Sequence, residues 1–237
     1  MSLDINYYFE KPERFPVPGF LDDLKEPSEI LMKAKEYLRT ELVDKNVFEN
    51  RGIVQGTEPN FHGCYFIGAG TVIYDGVTII GPVYIGRDCE IMPGATIRPY
   101  TIIGDKCAVG HGAEIKHGVL FGGAKVASLA FVGDSVLGAS ARVGSGVITA
   151  NRMFNQKNVT VKISGEKHDL GDTYFGAIIG DSARLGANCV TQPGTHIGPY
   201  TWLLPMTAVR GFIPREKRVY HPREIVMEEN GITELQP

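Results

Sequence analysis

From Ile67 onward an apolar residue recurs at every sixth position: Ile67, Ile73, Ile79, Ile85, Ile91, Ile97, Ile103, Val109, Ile115 and Phe121. Glycine often follows directly, as in Ile67-Gly68, Ile85-Gly86, Ile103-Gly104 and Val109-Gly110. A helix would repeat its apolar residues with a period near 3.6, and a half-buried strand with a period of two. A period of six fits neither. It marks a β-helix of hexapeptide repeats, in which one hexad makes one short face and three faces close a triangular coil. The recurring aliphatic then points to the axis and stacks on its equivalent one coil away, at the ordinary strand spacing of about 4.8 Å. Glycine suits the corners because it accepts positive φ.

Past Phe121 the register slips by one residue, and Val126, Val132, Leu137 and Val143 follow, with Gly133, Gly138 and Gly144 at corners. The period breaks at the polar segment NRMFNQKNVTVKISGEKHDLGD (Asn151–Asp172) and resumes at Ile179, Leu185, Thr191, Ile197, Leu203 and Val209. The expected fold is therefore all-β: a left-handed parallel β-helix over 61–215 with one long protruding loop, 151–175. Insertions in repeat proteins often form the binding face. Residues 1–60 read as an N-terminal extension. After Pro27 and Ser28, apolar Ile30, Leu31, Ala34, Tyr37, Leu38 and Leu42 predict an amphipathic helix of about fifteen residues. Its expected role is a cap on the first coil, whose open end would be an unpaired edge. Residues 216–237 read as a charged tail that packs along the outside or frays, and the first three residues as an expression remnant.

A formal charge of −3 lacks the basic footprint of a nucleic-acid binder. No apolar run approaches the roughly 18 residues that suggest a membrane span, and MSLDINYYFEKPERF lacks the pattern of a secretory leader. Cys64, Cys89, Cys107 and Cys189 show no CxxC spacing, so neither zinc nor a disulfide framework is expected, and a reducing cytoplasm fits best. Arg98 and Lys116 are eighteen residues apart and fall on the same corner of adjacent coils. Like charges so placed are unfavourable unless an anion lies between them, and a phosphate suits the pair. The alternative is two solvated surface cations.

The motifs TIRPYTIIGDKCAVGHGAEIK, KVASLAFVGDSVLG, GSGVITAN and GAIIGDSARLG occur in that order. Together they resemble the acetyltransferase half of the bacterial bifunctional enzyme that makes UDP-N-acetylglucosamine, and the carboxy-terminal half of archaeal sugar-phosphate nucleotidylyltransferase/acetyltransferases. The resemblance covers roughly Gly81 to Arg210. It implies transfer of an acetyl group from acetyl-CoA, or another acyl-CoA, to the amine of a glucosamine-1-phosphate-like sugar. It also implies a homotrimer with sites between subunits and the loop reaching across. Residues 1–60 hold nothing like the family's nucleotide loop, so nucleotidyl transfer is not expected of this chain.

Position by position, the resemblance places the sugar phosphate on Arg98, Glu114, Lys116, Asn151 and Lys157. It places acyl-CoA, held mostly by backbone, near Ala187 and Pro205. Lys217 and Arg218 are candidates for its phosphates, with a plain charged tail as the alternative. Three positions depart from the family. Its catalytic histidine is Ser128 here, the following tyrosine is Phe131, and an asparagine at the substrate amide is Arg142. A serine hydroxyl is a poor base near neutral pH. Glu114 and His117 are the substitutes within reach of the same coils; His111 and the loop's His168 are weaker ones. No metal is expected: the six histidines lack the spacing of carbonic-anhydrase-like relatives of this fold. Two functions stay open, an acyltransferase with altered base chemistry and a non-catalytic sugar-phosphate or nucleotide-sugar binding protein.

Overall fold

A computed structural model of the chain describes residues 4–221. The hexads fold into a parallel β-helix, consistent with the expected left-handed winding. Nine strands stack on the first face, from Phe48–Asn50 to Phe212–Ile213, and nine on the second, from Ile53–Val54 to Arg218–Val219. Eight stack on the third, from Asn60–His62 to Ala208–Val209. The axial residues run from Ile67 to Val209 as one core that is almost wholly shielded from solvent. Each such aliphatic contributes on the order of 1.5–3 kcal/mol. No helix among the described residues is long and apolar enough to cross a membrane. The tail beyond 221 and the first three residues lie outside the described residues.

The pairing register relocates the slip. Ile97 pairs with Ile115, but Ile115 pairs with Val132 and Ile103 with Leu120. The coil has shortened from eighteen residues to seventeen before Leu120, at the corner through His117. Leu120 therefore takes the axis, and Phe121 faces outward. The sequence series ran one step too far because Leu120 and Phe121 are both apolar, and a one-residue shift swaps faces. The same shortening recurs one coil later: Val132 and Leu137 are five residues apart, and Leu137 sits above Leu120. Both tight corners use a non-glycine residue at positive φ, His117 at 46° and Asp134 at 45°.

The N-terminal segment does not cap the first coil. Helix α1 (Ile5–Tyr8) and helix α2 (Glu29–Leu38), whose last turn widens over Arg39–Val43, lie against the side of the prism. Helix α2 contacts strands Thr101–Ile103 and Val119–Leu120 in the middle of the first face. Its stripe of Ile30, Leu31, Ala34 and Leu38 packs with the outward residues Ile102, Val119, Phe121 and Val136. The middle of the first face is thus buried on both sides, in keeping with the continuously apolar strands Val119–Leu120 and Val136–Leu137. An amphipathic helix covers the largest apolar surface offered, and that surface is this face. Two polar pins hold the segment. Tyr8 Oη hydrogen-bonds buried His196 Nδ1 at 3.0 Å. The Asp181 carboxylate accepts the N–H groups of Ala139 and Lys11 at 2.7 and 3.0 Å. Burial, with nearby His168 adding to it, pushes the His196 imidazole down to about 3, so it is neutral.

The loop leaves the helix after Asn151, as expected, and part of it folds back on its own chain. It forms an antiparallel hairpin, Thr160–Ile163 with Glu166–Asp169, and Thr160–Ile163 contacts Phe212–Ile213 of the same chain. Val159, Leu170 and Phe175 join the cluster on the first face. Its early part stays out in solvent, where Phe154 is fully exposed and Lys157 is exposed.

Phe121 stacks on Phe9 at 4.6 Å and meets Phe15 edge-on at 5.0 Å. Phe121→Ala is expected to lose about 3–5 kcal/mol in urea denaturation. It should also accelerate proteolysis between residues 10 and 28. Leu120→Ala should lose about 2–5 kcal/mol without loosening that segment. The reverse pattern would return Phe121 to the axis.

Candidate functional site

The corners between the third and first faces stack Arg98, Lys116-His117, Asp134 and Asn151 in successive coils. Because two of these corners are one residue short, their side chains converge on Asp134, whose side chain is only 3% exposed. Lys116 Nζ donates to Asp134 Oδ2 at 2.9 Å, Asn151 Nδ2 to the same oxygen at 2.5 Å, and His117 Nδ1 to Oδ1 at 3.0 Å. Burial alone would raise the Asp134 carboxyl. The hydrogen bonds from His117, Lys116 and Asn151 and the Lys116 charge outweigh burial and hold the group below the usual carboxylate range. Asp134 also anchors both legs of the loop, since its carbonyl accepts the N–H of Gly176 at 2.7 Å while its carboxylate holds Asn151.

His117 is sandwiched between acceptors, because its Nε2 faces the carbonyl of Leu31 in α2 at 3.2 Å. Both ring nitrogens of His117 are therefore engaged inside the chain, one with Asp134 and one with Leu31. Lys116 Nζ also lies 4.3 Å above the ring of Tyr174 on the returning leg of the loop, and Arg152 contacts the same ring at 5.2 Å. One coil below, Arg98 Nη1 donates to Glu114 Oε1 at 2.7 Å, with both side chains partly exposed. A cavity of about 240 Å³ opens beside His117, between Met32 and Lys35 of α2 and Asp172 and Tyr174 of the loop.

Five expected residues, Arg98, Glu114, Lys116, His117 and Asn151, thus share one corner column. The charge argument behind the first pair needs correcting. Arg98 and Lys116 are not uncompensated, because Glu114 and Asp134 pair with them inside the chain. Neither Asp134 nor Tyr174 stands out by spacing in the hexad register. The signal for Asp134 was its place seventeen residues from both His117 and Asn151, in a stretch whose coils are seventeen residues long. Lys157 lies out on the loop, and its ammonium contacts no member of the cluster among the described residues.

Ser128 occupies a different corner, between the second and third faces, where it is half-buried. It stands at the far end of the third-face strand Phe131–Gly133 from Asp134, roughly 15–20 Å away at about 3.3 Å per residue. Its column is the one that carries Ala187 and Pro205, as the corner bonds Gly146 N to Ser128 O, Asn188 N to Ser145 O and Met206 N to Ala187 O show. His111 lies one coil below, its Nδ1 2.7 Å from the Pro93 carbonyl. Arg142 and Arg218 stand on the open second face. Among the described residues no group of three His, Cys, Asp or Glu side chains is placed to hold a metal ion.

The Escherichia coli protein YaiX, described as an uncharacterized acetyltransferase, is 33% identical over 189 residues, which cover 79% of this chain and 80% of YaiX. The chain belongs to the hexapeptide-repeat acyltransferase family. A family model of the GMPPB C-terminal domain matches residues 79–166. A bifunctional sugar-1-phosphate nucleotidylyltransferase/acetyltransferase of Sulfurisphaera tokodaii is 36% identical over 95 residues, 40% of this chain and 24% of that protein. The bifunctional protein GlmU of Methanococcus aeolicus is 33% identical over 114 residues, 48% of this chain and 28% of GlmU. The chain therefore spans only about a quarter of the length of these two relatives.

Removing one partner of a buried ion pair strands the other and costs about 3–5 kcal/mol, and Asp134→Asn is expected to lose that much at pH 7. A carboxyl held below its ordinary value stabilises the fold above about pH 4 and loses that contribution as pH falls through the lowered value. The stability gap between the unmutated protein and Asp134→Asn should therefore narrow as urea titrations step down toward pH 3. A gap constant with pH would mean that Asp134 is not the charged hub.

Proposed function

We propose that this protein is an acyl-CoA-dependent acyltransferase, N-acetyltransferase-like, acting on a sugar 1-phosphate at the edge between neighbouring subunits of a homotrimer. The observation that carries the reading is the split of the family positions between two corners. The anion-binding candidates Arg98, Lys116 and Asn151, beside Glu114, stand on one, and Ser128, Ala187 and Pro205 on another. A third-face strand separates them, so one chain does not assemble acceptor and donor around a single point. A second copy laid against the first closes the gap, and flat prism faces favour closed threefold packing. Lys157 and Phe154, both exposed, stand on the loop segment that would meet that copy. The four cysteines are all free thiols, in keeping with a reducing cytoplasm.

In the transfer, the acceptor amine attacks the thioester carbonyl, a C–N bond forms, the C–S bond breaks and CoA leaves as the thiolate, which finally takes up the amine proton. Arg98 and Lys116 would exchange their carboxylate partners in part for the sugar phosphate, with arginine's fork and lysine's point charge fixing the sugar. Among the described residues no side chain is free to relay the amine proton to that thiolate. Ser128 stands where the family has its histidine, Glu114 is paired to Arg98, and His117 is held between two acceptors. Loss of a positioned base costs on the order of a hundred- to ten-thousand-fold in rate. That absence favours one second reading, a trimer that binds sugar phosphate without turning it over.

Thiol release from acetyl-CoA with glucosamine-1-phosphate and other sugar phosphates separates the two. Turnover in the unmutated protein supports the enzyme, and silence that Ser128→His relieves supports a binding protein with a repairable site. Arg98→Ala and Lys116→Ala should each weaken sugar-phosphate binding about tenfold or more in calorimetry. Normal binding in both would remove the anion site. Light scattering should give a trimer; a stable monomer at micromolar concentration would remove the intersubunit site.

A further inference from the structure

The cavity beside His117 is built almost wholly from parts of the chain that the family model leaves out. Helix α2 forms one wall and residues 170–175 of the returning leg of the loop form the other. Of the lining residues only His117 lies within 79–166. Leu31 and Phe175, both buried, give the cavity apolar surface, and Met32, which is 71% exposed, adds to it. Two side chains of opposite charge line it from different elements. Lys35 of α2 pairs with no carboxylate among the described residues, and its ammonium lies 5.1 Å from the ring of Tyr100. Asp172 of the loop spends Oδ1 on the Tyr174 N–H at 3.0 Å and the Thr173 hydroxyl at 3.5 Å. Its Oδ2 accepts no hydrogen bond among the described residues. Glu29, the other acid here, is occupied, since its Oε2 takes the N–H groups of Lys25 and Glu26 at 2.8 and 2.9 Å. Tyr174 joins the cavity to the corner column, because Lys116 Nζ lies 4.3 Å from its ring.

We propose that this cavity holds the pyranose ring of a sugar phosphate whose phosphate lies at Lys116. A dry cavity of about 150 Å³ takes one benzene ring, so one of about 240 Å³ has room for a six-membered ring with its substituents. Small-molecule pockets are mostly apolar with a few placed polar groups, and a pyranose matches such a lining with apolar ring faces and a rim of hydroxyls. The faces suit Leu31, Met32 and Phe175. A hydroxyl both donates and accepts, so the rim suits the ammonium of Lys35 and the uncommitted oxygen of Asp172 alike. An anion in the cavity would meet Asp172 and Glu29, and a wholly apolar ring would leave Lys35 and Asp172 unused. Because Tyr174 is shared, ring and phosphate are neighbours across one aromatic side chain. Helix α2 and the returning leg thereby become the part of the chain that reads the acceptor's ring. This deepens the proposed acyltransferase and rests on that reading only for the phosphate at Lys116.

Calorimetry on the intact chain compares inorganic phosphate, methyl glucoside and the 1-phosphates of glucose, galactose, mannose and glucosamine. At least one hexose phosphate should bind about tenfold or more tightly than inorganic phosphate. Met32→Trp fills the cavity from an exposed position and should cut that advantage about tenfold while phosphate itself binds as before. Asp172→Asn keeps an oxygen for the Tyr174 N–H, replaces the uncommitted one by an amide, and should reduce the advantage in the same way. Hexose phosphates that bind no better than inorganic phosphate, or an advantage unchanged in both variants, overturn the proposal. Methyl glucoside bound as tightly as the best hexose phosphate overturns the link to Lys116 and assigns the cavity to an unphosphorylated glycosyl unit. A ring-dependent advantage without thiol release leaves this site standing while the acyltransferase reading falls, and thiol release without such an advantage does the opposite.

Discussion

Everything in this molecule depends on delivering one small apolar side chain per face to a shared axis. A parallel β-helix has no other core, so each strand must arrive in register above its predecessor or the stack opens. The corners absorb whatever length is left over. Where the corner between the third and first faces loses one residue, twice in succession, the axis survives because Leu120 and Leu137 replace the residues a strict hexad would supply. The shortened corners keep a residue at positive φ, His117 and Asp134, as the full-length corner one coil earlier does at Tyr100. A constraint on packing thus creates the polar cluster. Lys116, His117 and Asn151 reach one carboxylate because the coils there are shorter than elsewhere.

That cluster couples three parts of the chain that are remote in sequence. Asp134 holds the start of the loop through Asn151 and its end through Gly176, and His117 carries the connection to Leu31 in α2. A ligand competing for Lys116 would act on a hub that also fixes the loop and the N-terminal segment.

The sequence made some of this legible and hid the rest for physical reasons. The axial aliphatics from Ile67 to Ile115 and from Ile179 to Val209 are visible because every coil repeats the same demand. The slip was visible but placed one residue late, since Leu120 and Phe121 satisfy the apolar criterion equally and only corner length decides between them. The amphipathic stripe of α2 was plain, whereas its target was not. The outward residues Ile102, Val119 and Val136 sit inside apolar runs whose second face has no periodic signature of its own. Arg98, Lys116 and Asn151 were found by spacing and resemblance, and the structure sets them on one column. Asp134 was missed because a buried carboxylate is indistinguishable in sequence from a turn aspartate until the stacking of two shortened corners brings its partners together.

The corner column and the second face differ in how their charge is treated. On the corner column every cation has a carboxylate of its own chain, so the site is neutralised and ordered without ligand, and an arriving anion must compete with Glu114 and Asp134. On the second face Lys125, Arg142, Arg184 and Arg218 face solvent with no such partner among the described residues. Competition makes binding selective for a ligand that supplies more than charge, such as the hydroxyls of a sugar. An open row of cations instead rewards charge alone.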